Sequence, residues 1–416
     1  MNIPVLYNGT SLDVTVEDDR VAGVIGPNPT AVKNEREVLL NALSHPLESE
    51  LLEGFLAGGR RVLVIVNDND RNTPTANVLD AISGLLPAGQ IRFLVATGSH
   101  PPPCERELRS LFGNHYPTHR GCIALHNARD ASGTILFGST RRGTDVRLNR
   151  AFSEADRVVV IGSVEPHYFA GFTGGRKAFL PGIAAYASIE QNHRLALEDG
   201  VRVLALEGNP LHEDLEESFA LIESKPIFSI QTVLDAENRL HFVSAGDLRK
   251  TFRAAVNRAM DVYCVRVPGK ADVVVAVAAP PLDATLYQSH KAVENVRSVL
   301  NDDGIVIWVA GCSNGLGNDS FVNLLKSAER PQDVFDRIRR GYRLGYHKAA
   351  KIADLLKRVR IWAVTDLAPD VLQSIFLRPF ASLQTAVDCA LNEKKNGKAL
   401  FVHSATTTVP VVTDRA

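Results

Sequence analysis

Short apolar runs alternate with segments of helical periodicity along most of the chain. The runs are rich in β-branched residues, as in Arg157-Val-Val-Val-Ile-Gly162, and this composition is typical of buried strands. The pattern predicts strands at residues 61–66, 91–97, 157–162, 271–278 and 304–310, and helices at residues 35–56, 75–86, 105–112, 244–262 and 288–300. This alternation favours an α/β fold with parallel or mixed sheets flanked by helices.

Three further segments carry local signals. The first thirty residues hold three apolar runs, at residues 3–7, 12–16 and 21–25, which are separated by turn residues and predict a small β-meander. Ser188 and Gln191 fit a capping box that opens a helix carrying His193. Residues 332–358 are rich in arginine and lysine and are predicted to form a helical stretch with a solvated face.

The chain is predicted to divide at Val267-Pro-Gly-Lys270, where a Pro-Gly pair suggests a hinge and after which the strand and helix pattern restarts. We therefore expect an N-terminal α/β domain at residues 1–266 and a C-terminal α/β domain at residues 271–416. The active site is expected in the cleft between the two domains.

Charge and cysteine content exclude several classes of protein. The 416 residues include 46 basic and 47 acidic side chains, so no overall field favours nucleic acid or an anionic membrane. The five cysteines lack C-x-x-C spacing and resemble the scattered thiols of a reducing compartment. Neither a signal peptide nor an apolar stretch long enough to cross a bilayer is evident. We expect a cytoplasmic protein.

Polar clusters follow the predicted strands at their carboxyl ends, where ligands bind in open α/β sheets. The clusters are Asn67-Asp-Asn-Asp-Arg71, Gly98-Ser-His100, the loop at residues 165–177 that contains His167, and Tyr287-Gln-Ser-His-Lys291. The first three are expected to converge at one edge of a sheet. The fourth lies beyond the proposed hinge and could face them from the second domain.

The loop Glu165-Pro-His-Tyr-Phe-Ala-Gly-Phe-Thr-Gly-Gly-Arg-Lys177 concentrates reactive and flexible residues. Its glycines permit positive φ and a close approach of the backbone to a ligand, and successive amides could bind an anion. Arg176 separates Gly175 from Lys177, so the Gly-Lys-Ser/Thr order of a nucleotide-binding P-loop is absent. A nucleoside triphosphatase is therefore a poor interpretation.

Each candidate also has a structural interpretation. His100 could be an ordinary loop histidine, Asp68 and Arg71 a helix cap with a surface ion pair, and His193 a packing or surface residue. Lys177 is harder to dismiss, because it directly follows the glycine-rich loop. The remaining histidines are predicted to be structural, namely residues 45, 115, 119, 126, 212, 241, 290, 347 and 403.

Several motifs taken together resemble the nickel-dependent lactate racemase family, and the similarity covers most of the chain. The motifs are Ala96-Thr-Gly-Ser-His100, the 165–177 loop with Leu180-Pro-Gly182, Asn192-His193, and Leu286-Tyr-Gln-Ser-His-Lys291. The resemblance implies a lysine that is bonded covalently to a nickel-pincer pyridinium mononucleotide, and Lys177 occupies the matching position. His193 matches the histidine that completes the square-planar nickel site, which suits Ni(II) with sulfur donors.

The resemblance also assigns roles in the racemisation of a 2-hydroxy acid. His100 and His167 match two histidines that act alternately as acid and base while a hydride leaves C2 and returns to the other face. Positions matching Asp68, Arg71, Tyr287, Gln288 and Lys291 would hold the cofactor or the substrate carboxylate. Our own hypothesis is that the cofactor phosphate is held by Thr173, Gly174, Gly175 and Arg176.

Two departures from the family pattern bear on the substrate. The first motif usually reads Asp-Asp-x-Thr-Arg-Pro, whereas this chain has Asn67-Asp-Asn-Asp-Arg-Asn72. Pro101 stands where an arginine commonly follows the histidine of the second motif. Both changes alter the walls of the substrate site, so malate, a hydroxyglutarate or an aldonate is as good a candidate as lactate.

Two alternatives stay open at this point. One is a non-catalytic nickel-cofactor-binding protein that retains Lys177 and His193, although intact His100 and His167 argue against it. The other is a histidine-ligated metal-dependent hydrolase or dehydratase, against which the absence of a compact motif such as H-E-x-x-H counts. The expected partners are a small 2-hydroxy acid and, transiently, the proteins that build the cofactor.

Overall fold

A computed structural model describes residues 1–87 and 89–413 of the chain. The strands in this part are β1 (Asn2–Tyr7), β2 (Thr10–Thr15), β3 (Val21–Ile25), β4 (Val62–Asn67), β5 (Ile91–Ala96), β6 (Ile123–Leu125), β7 (Thr134–Ser139), β8 (Asp145–Asn149), β9 (Arg157–Ser163), β10 (Pro166–His167), β11 (Gly171–Phe172), β12 (Ile227–Leu234), β13 (Leu240–Gly246), β14 (Cys264–Val267), β15 (Ala271–Val277), β16 (Leu300–Val309), β17 (Arg360–Val364), β18 (Arg378–Pro379), β19 (Ala399–Val402) and β20 (Val409–Val412).

The α-helices in the same residues are α1 (Glu35–Ser44), α2 (Leu52–Ala57), α3 (Thr75–Ile82), α4 (Glu105–Phe112), α5 (Tyr116–His119), α6 (Arg150–Glu154), α7 (Tyr186–Arg194), α8 (Pro210–Ala220), α9 (Leu248–Tyr263), α10 (Leu286–Asn295), α11 (Asp319–Lys326), α12 (Asp333–Arg340), α13 (Tyr346–Leu355), α14 (Pro369–Gln373) and α15 (Leu383–Glu393). Strands alternate with helices, and the predicted α/β fold class is confirmed. No helix among the described residues is both long and apolar enough to cross a membrane.

The chain folds into two compact units. The first unit comprises residues 1–28, 166–168 and 263–416, and the second comprises residues 29–165 and 169–262. The chain passes from the second unit to the first between residues 262 and 263. Residues 1–28 belong to the first unit, where β3 extends the sheet by pairing with β19.

The second unit contains a six-stranded sheet, counted over the described residues, with the order β13-β12-β9-β4-β5-β6. All neighbours are parallel except the edge pair β12 and β13. The central strand β4 is apolar from Val62 to Val66, and these five residues are buried beneath helices on the faces of the sheet. Because β9, β4 and β5 are parallel neighbours, their carboxyl ends lie at one edge.

The first unit contains a second six-stranded sheet within the described part of the chain, with the order β18-β17-β16-β15-β19-β3, and all its pairs are parallel. One face packs against α10, α11 and α13 through a core that includes Trp308. The other face packs against α15 and the β1–β2 hairpin, whose Ile3 and Val5 are buried there.

Several predicted element boundaries are wrong, each for a physical reason. The predicted 35–56 helix is two helices, because Pro46 falls between α1 and α2. The predicted 21–25 meander strand is β3, which pairs with β19 instead of the hairpin. Ser188 does not open a helix: it lies inside α7, where its hydroxyl oxygen accepts a hydrogen bond from the Arg147 backbone at 3.2 Å. Residues 244–246 belong to β13 and not to the helix that follows.

Candidate active site

The carboxyl ends of β4 and β5 bring Asp68 and His100 together in the second unit. Nδ1 of His100 lies 2.7 Å from Oδ2 of Asp68, whose carboxylate is almost fully buried. The adjacent strands fix this contact, since Asp68 directly follows β4 and the His100 loop directly follows β5. The pair is not a helix cap, because the next helix, α3, begins only at Thr75.

Asp70 adds a second carboxylate to His100. Its Oδ2 lies 3.2 Å from the same Nδ1 atom. Burial by itself lowers the pKa of His100, and the charge of Arg71 lowers it slightly further. The charge and hydrogen bond of Asp68, together with the charge of Asp70, raise it. The raising effects are larger, so the pKa of His100 lies above its ordinary value. This arrangement favours the protonated ring.

Arg71 forms an ion pair with Glu165 at 3.8 Å, and both side chains are largely buried. Glu165 follows β9, the other parallel neighbour of β4, so three strand ends contribute to this edge. The structure therefore brings residues of the first two clusters together with Glu165, the first residue of the loop that contains Lys177. The pair is largely buried and is not the surface pair considered as an alternative.

The turn that carries Lys177 is held to the His100 loop by backbone hydrogen bonds. The N–H of Gly98 donates to the carbonyl oxygen of Gly182 at 2.9 Å, and the N–H of Gly182 donates to the carbonyl of Lys177 at 3.0 Å. Lys177 itself lies in a short 3-10 helix, Gly175–Ala178, and is largely buried. The two loops therefore form one connected part of the second unit.

The glycine-rich turn is packed tightly against β9 and β12. Gly174 has a φ of +79°, and a Cβ there would lie 2.5 Å from Val164 and 2.7 Å from Gln231. The N–H of Gly175 donates to Oε1 of Gln231 at 2.9 Å. The hydroxyl of Thr173 donates to the carbonyl of Ser163 at 2.9 Å. These contacts explain why glycines stand here, because any side chain would displace the turn.

Arg176 is enclosed by protein groups. Its Nε lies 3.1 Å from Glu216, another guanidinium nitrogen contacts Nδ1 of His212, and the guanidinium stacks 4.2 Å above the Phe252 ring. Burial lowers the pKa of Arg176 to about 10, while burial and the charges of Arg176 and Arg253 lower the pKa of His212 to about 2. Arg176 anchors the turn, and a phosphate-binding role for residues 173–176 stays a prediction.

Lys177 and His193 border the same aromatic ring. The Lys177 ammonium lies 5.0 Å from the centroid of Phe169, and the imidazole of His193 meets that ring edge-on at 4.9 Å. A group bonded to Lys177 would thus have an imidazole donor nearby. These residues fit the implied cofactor, because the amine can form the covalent bond and the imidazole can bind a square-planar metal.

The remaining predicted residues lie in the first unit, around α10 and α13. His167 stacks on its neighbour Tyr168 at 5.2 Å, and the Tyr168 hydroxyl is 3.0 Å from Nε2 of His347. Lys348 lies 3.7 Å above the Tyr287 ring and donates to the Tyr287 carbonyl. Lys291 is buried in α10, where the Gln288 N–H donates to Thr285 as part of the helix cap.

Sequence reasoning missed several residues of these two groups. Asp70, Glu165 and Phe169 lie within quoted motifs but received no role. His347 was predicted to be structural, and it is buried in α13. Lys348 lies in residues 332–358, which were predicted to have a solvated face, but its side chain is buried as well. A helical periodicity count could have found them, since the apolar residues of α13 put both on its buried side.

Within the described residues, Asp68, Asp70 and His100 form a group of metal-ligand type whose donor atoms lie within 4.8 Å of one another. Nδ1 of His100 is the ring atom that faces both carboxylates, 2.7 Å from Asp68 and 3.2 Å from Asp70. A ring that is protonated at Nδ1 donates a hydrogen bond to Asp68 and leaves that atom unable to bind a metal.

Two family models cover most of the chain. A lactate racemase N-terminal domain matches residues 7–203, and a lactate racemase C-terminal domain matches residues 267–411. A lactate racemase of Thermoanaerobacterium thermosaccharolyticum is 28% identical over 346 residues, which cover 81% of this chain and 80% of that protein. A lactate racemase of Lactiplantibacillus plantarum is 27% identical over 398 residues, covering 92% and 93%.

Solved structures agree with these matches. The lactate racemase apoprotein from T. thermosaccharolyticum superposes with a TM-score of 0.90 at 26% identity and covers 100% of both chains. A Thermotoga maritima protein shares the fold, with a TM-score of 0.74 at 14% identity over 91% of this chain and 98% of that one.

The fold and these matches define an α/β isomerase of the racemase class. The chain belongs to the lactate racemase family, as its motifs predicted. Membership implies a nickel-dependent cofactor and a small hydroxy acid as substrate.

Proposed function

We propose that this racemase interconverts the enantiomers of a 2-hydroxy carboxylic acid, with His100 and His167 exchanging the hydroxyl proton. The observation that carries the proposal is the 2.7 Å contact between Nδ1 of His100 and the buried carboxylate of Asp68. An imidazole that is held at Nδ1 presents Nε2 as its basic atom, which is the arrangement of an oriented general base.

Two histidines serve the two directions of the reaction. For one enantiomer, His100 accepts the hydroxyl proton as C2 loses its hydrogen, and a 2-keto acid forms. The keto acid presents its other face, and His167 returns a proton to the carbonyl oxygen as C2 regains the hydrogen. The opposite enantiomer uses the same residues in exchanged roles, so each histidine must act once as base and once as acid.

We propose Lys177 as the attachment point of the nickel-pincer pyridinium mononucleotide and His193 as the protein ligand of its nickel. When bound, this group supplies the acceptor that takes hydrogen from C2 as hydride. The shared contact of Lys177 and His193 with Phe169 supports the assignment. Proteins that build the cofactor are expected to bind the chain transiently.

The substrate carboxylate is assigned to Arg71, Tyr287, Gln288 and Lys291. Arg71 suits this role because its 3.8 Å ion pair with Glu165 is longer than a hydrogen bond, so guanidinium donors can turn toward a second carboxylate. Lys291 would add a point charge. Asp68 and Arg71 are also proposed to contact the cofactor.

Intact-mass and metal analysis test the cofactor assignment. Protein made in a host that builds the cofactor should carry a mass increment on the Lys177 peptide with bound nickel, and Lys177→Arg should carry neither. His193→Ala should keep the increment and lose nickel. Fully active protein with no increment would contradict the assignment.

Replacement of the two histidines tests the acid-base roles. His100→Ala and His167→Ala should each abolish racemisation while nickel is retained. Turnover that survives in both variants would contradict the roles. Polarimetry with single enantiomers of many 2-hydroxy acids then identifies the substrate, and lactate, malate and aldonates belong in the first set.

A further inference from the structure

Asp70 stands beside His100 as a second carboxylate on one imidazole nitrogen. Its Oδ2 is 3.2 Å from Nδ1, while Oδ2 of Asp68 is 2.7 Å from the same atom. Asp68 is almost fully buried and Asp70 is about one-third exposed, so the two carboxylates approach the ring from the interior and from the solvent side. These two carboxylates and Arg71 are among the charged groups that act on the ring.

Two carboxylates close to one ring nitrogen have a definite chemical consequence. Nδ1 can carry a single proton, and both carboxylates stabilise that proton in the neutral ring and in the imidazolium. The tautomer with a proton on Nε2 would turn the Nδ1 lone pair toward two anions. The basic atom of the neutral ring is therefore Nε2.

We propose that Asp70 is a positioning residue for His100, which holds the Nδ1–H tautomer jointly with Asp68 and stabilises the protonated ring between turnovers. At residue 70 this chain has an aspartate, where the family motif Asp-Asp-x-Thr-Arg-Pro usually has a threonine. A carboxylate that can stabilise the protonated ring therefore replaces an uncharged hydroxyl. The proposal rests on the proposed role of His100 as acid and base. The tautomer itself can be measured without turnover.

The proposal predicts a pH limit of racemisation that depends on Asp70. Each direction needs one histidine neutral and the other protonated, so kcat/KM falls toward both pH extremes. The two enantiomers are equal in free energy, so their kcat/KM profiles must coincide at every pH. Replacing Asp70 should lower the pKa of His100, so the limit that His100 sets should move to lower pH in Asp70→Asn.

Histidine-labelled apoprotein provides the direct test by NMR. Nitrogen shifts report the tautomer, ring carbon shifts report the titration, and the signals that disappear in His100→Gln identify His100. In the wild type, His100 should show the Nδ1–H tautomer. In Asp70→Asn, His100 should titrate at lower pH. In the double variant that replaces both Asp68 and Asp70, His100 should populate the Nε2–H tautomer. Asp70→Thr serves as a second variant of different shape.

Asp80→Asn is the matched control, because Oδ1 of Asp80 lies 2.6 Å from Nε2 of His115 in the same unit. It should change the signals of His115 and leave those of His100 unchanged. An Nε2–H tautomer in the wild type, or an unchanged titration of His100 in both Asp70 variants, would overturn the proposal. If NMR shows the expected tautomer and titration of His100 but no 2-hydroxy acid is racemised, the positioning role of Asp70 stands and the proposed function fails.

Discussion

The backbone N–H of Gly98 donates to the carbonyl oxygen of Gly182 at 2.9 Å, and this bond joins the loop of His100 to the turn of Lys177. Gly182 in turn donates to the carbonyl of Lys177 at 3.0 Å. The proposed base and the proposed attachment lysine are therefore held by one backbone network within the second unit. Disturbing Gly182 should affect both.

Gly182→Ala tests this network. A Cβ at residue 182 would lie 2.2 Å from the carbonyl oxygen of Ala178, which is backbone and cannot move without shifting the turn. We expect a loss of roughly 2 kcal/mol or more in the free energy of unfolding, together with lower nickel content and lower turnover. Urea unfolding and metal analysis measure these effects.

Gly121→Ala is the control, because nothing lies within 4 Å of a Cβ at that residue. Its free energy of unfolding should change by about 0.5 kcal/mol or less. Equal stability and equal nickel content in both variants would show that the 178–182 turn does not hold the Lys177 region.

Asp68→Asn should reduce kcat by about 10²-fold to 10⁴-fold, because an amide no longer fixes the Nδ1–H tautomer of His100. Polarimetry of the loaded enzyme measures the effect. Full nickel content beside lost turnover would assign Asp68 to the orientation of His100, whereas lost nickel would assign it to cofactor binding. Wild-type turnover would contradict both assignments.

Glu216→Gln should destabilise the protein by about 1–3 kcal/mol, because Arg176 is buried and loses the carboxylate 3.1 Å from its Nε. The control is Glu217→Gln, whose partner Arg141 is 90% exposed, so that pair contributes less than about 1 kcal/mol. Chemical unfolding of both variants measures the difference. Equal losses would show that burial of Arg176 does not matter.

The low pKa of His212 should lower the free energy of unfolding of the protein in acid. Its folded-state pKa of about 2 lies below the ordinary value of 6.5, because burial and Arg176 disfavour the imidazolium. The neutral ring therefore stabilises the fold fully above about pH 6.5, and that contribution falls as pH drops from there toward 2. His212→Gln should flatten the dependence of the unfolding free energy on pH in this window.

Thermal unfolding across a pH series measures the effect, with His45→Gln as the control at an exposed histidine. The control should retain the wild-type slope between about pH 6.5 and the acid limit. A wild-type slope in His212→Gln would show that other groups account for the acid sensitivity.

Local sequence signals were sufficient for the strands that build the second unit. The apolar runs that form β4, β5 and β9 are buried and rich in β-branched residues, so their positions could be predicted without tertiary information. Because these strands are parallel neighbours, they bring Asp68 and His100 to one edge of the sheet. The two carboxylates on one nitrogen could not be predicted, because that depends on where the His100 loop points.

Other features depended on long-range pairing. Nothing in residues 21–25 indicates that the strand pairs with residues 399–402, nearly the whole chain away. Lys348 looked solvated because the arginines that precede it are exposed, and only the packing of α13 buries its side chain. The composition of a long segment does not distinguish its buried side chains from its exposed ones.

The fate of the hydrogen at C2 tests the central claim most directly. A single enantiomer of the substrate, deuterated at C2, is racemised to completion in ordinary water, and both enantiomers are analysed by mass spectrometry. If the hydroxyl proton moves through the histidines while C2 loses and regains hydride, both enantiomers should retain deuterium. Replacement of that deuterium by solvent hydrogen would show that C2 is deprotonated by a base, and the proposed mechanism would be wrong.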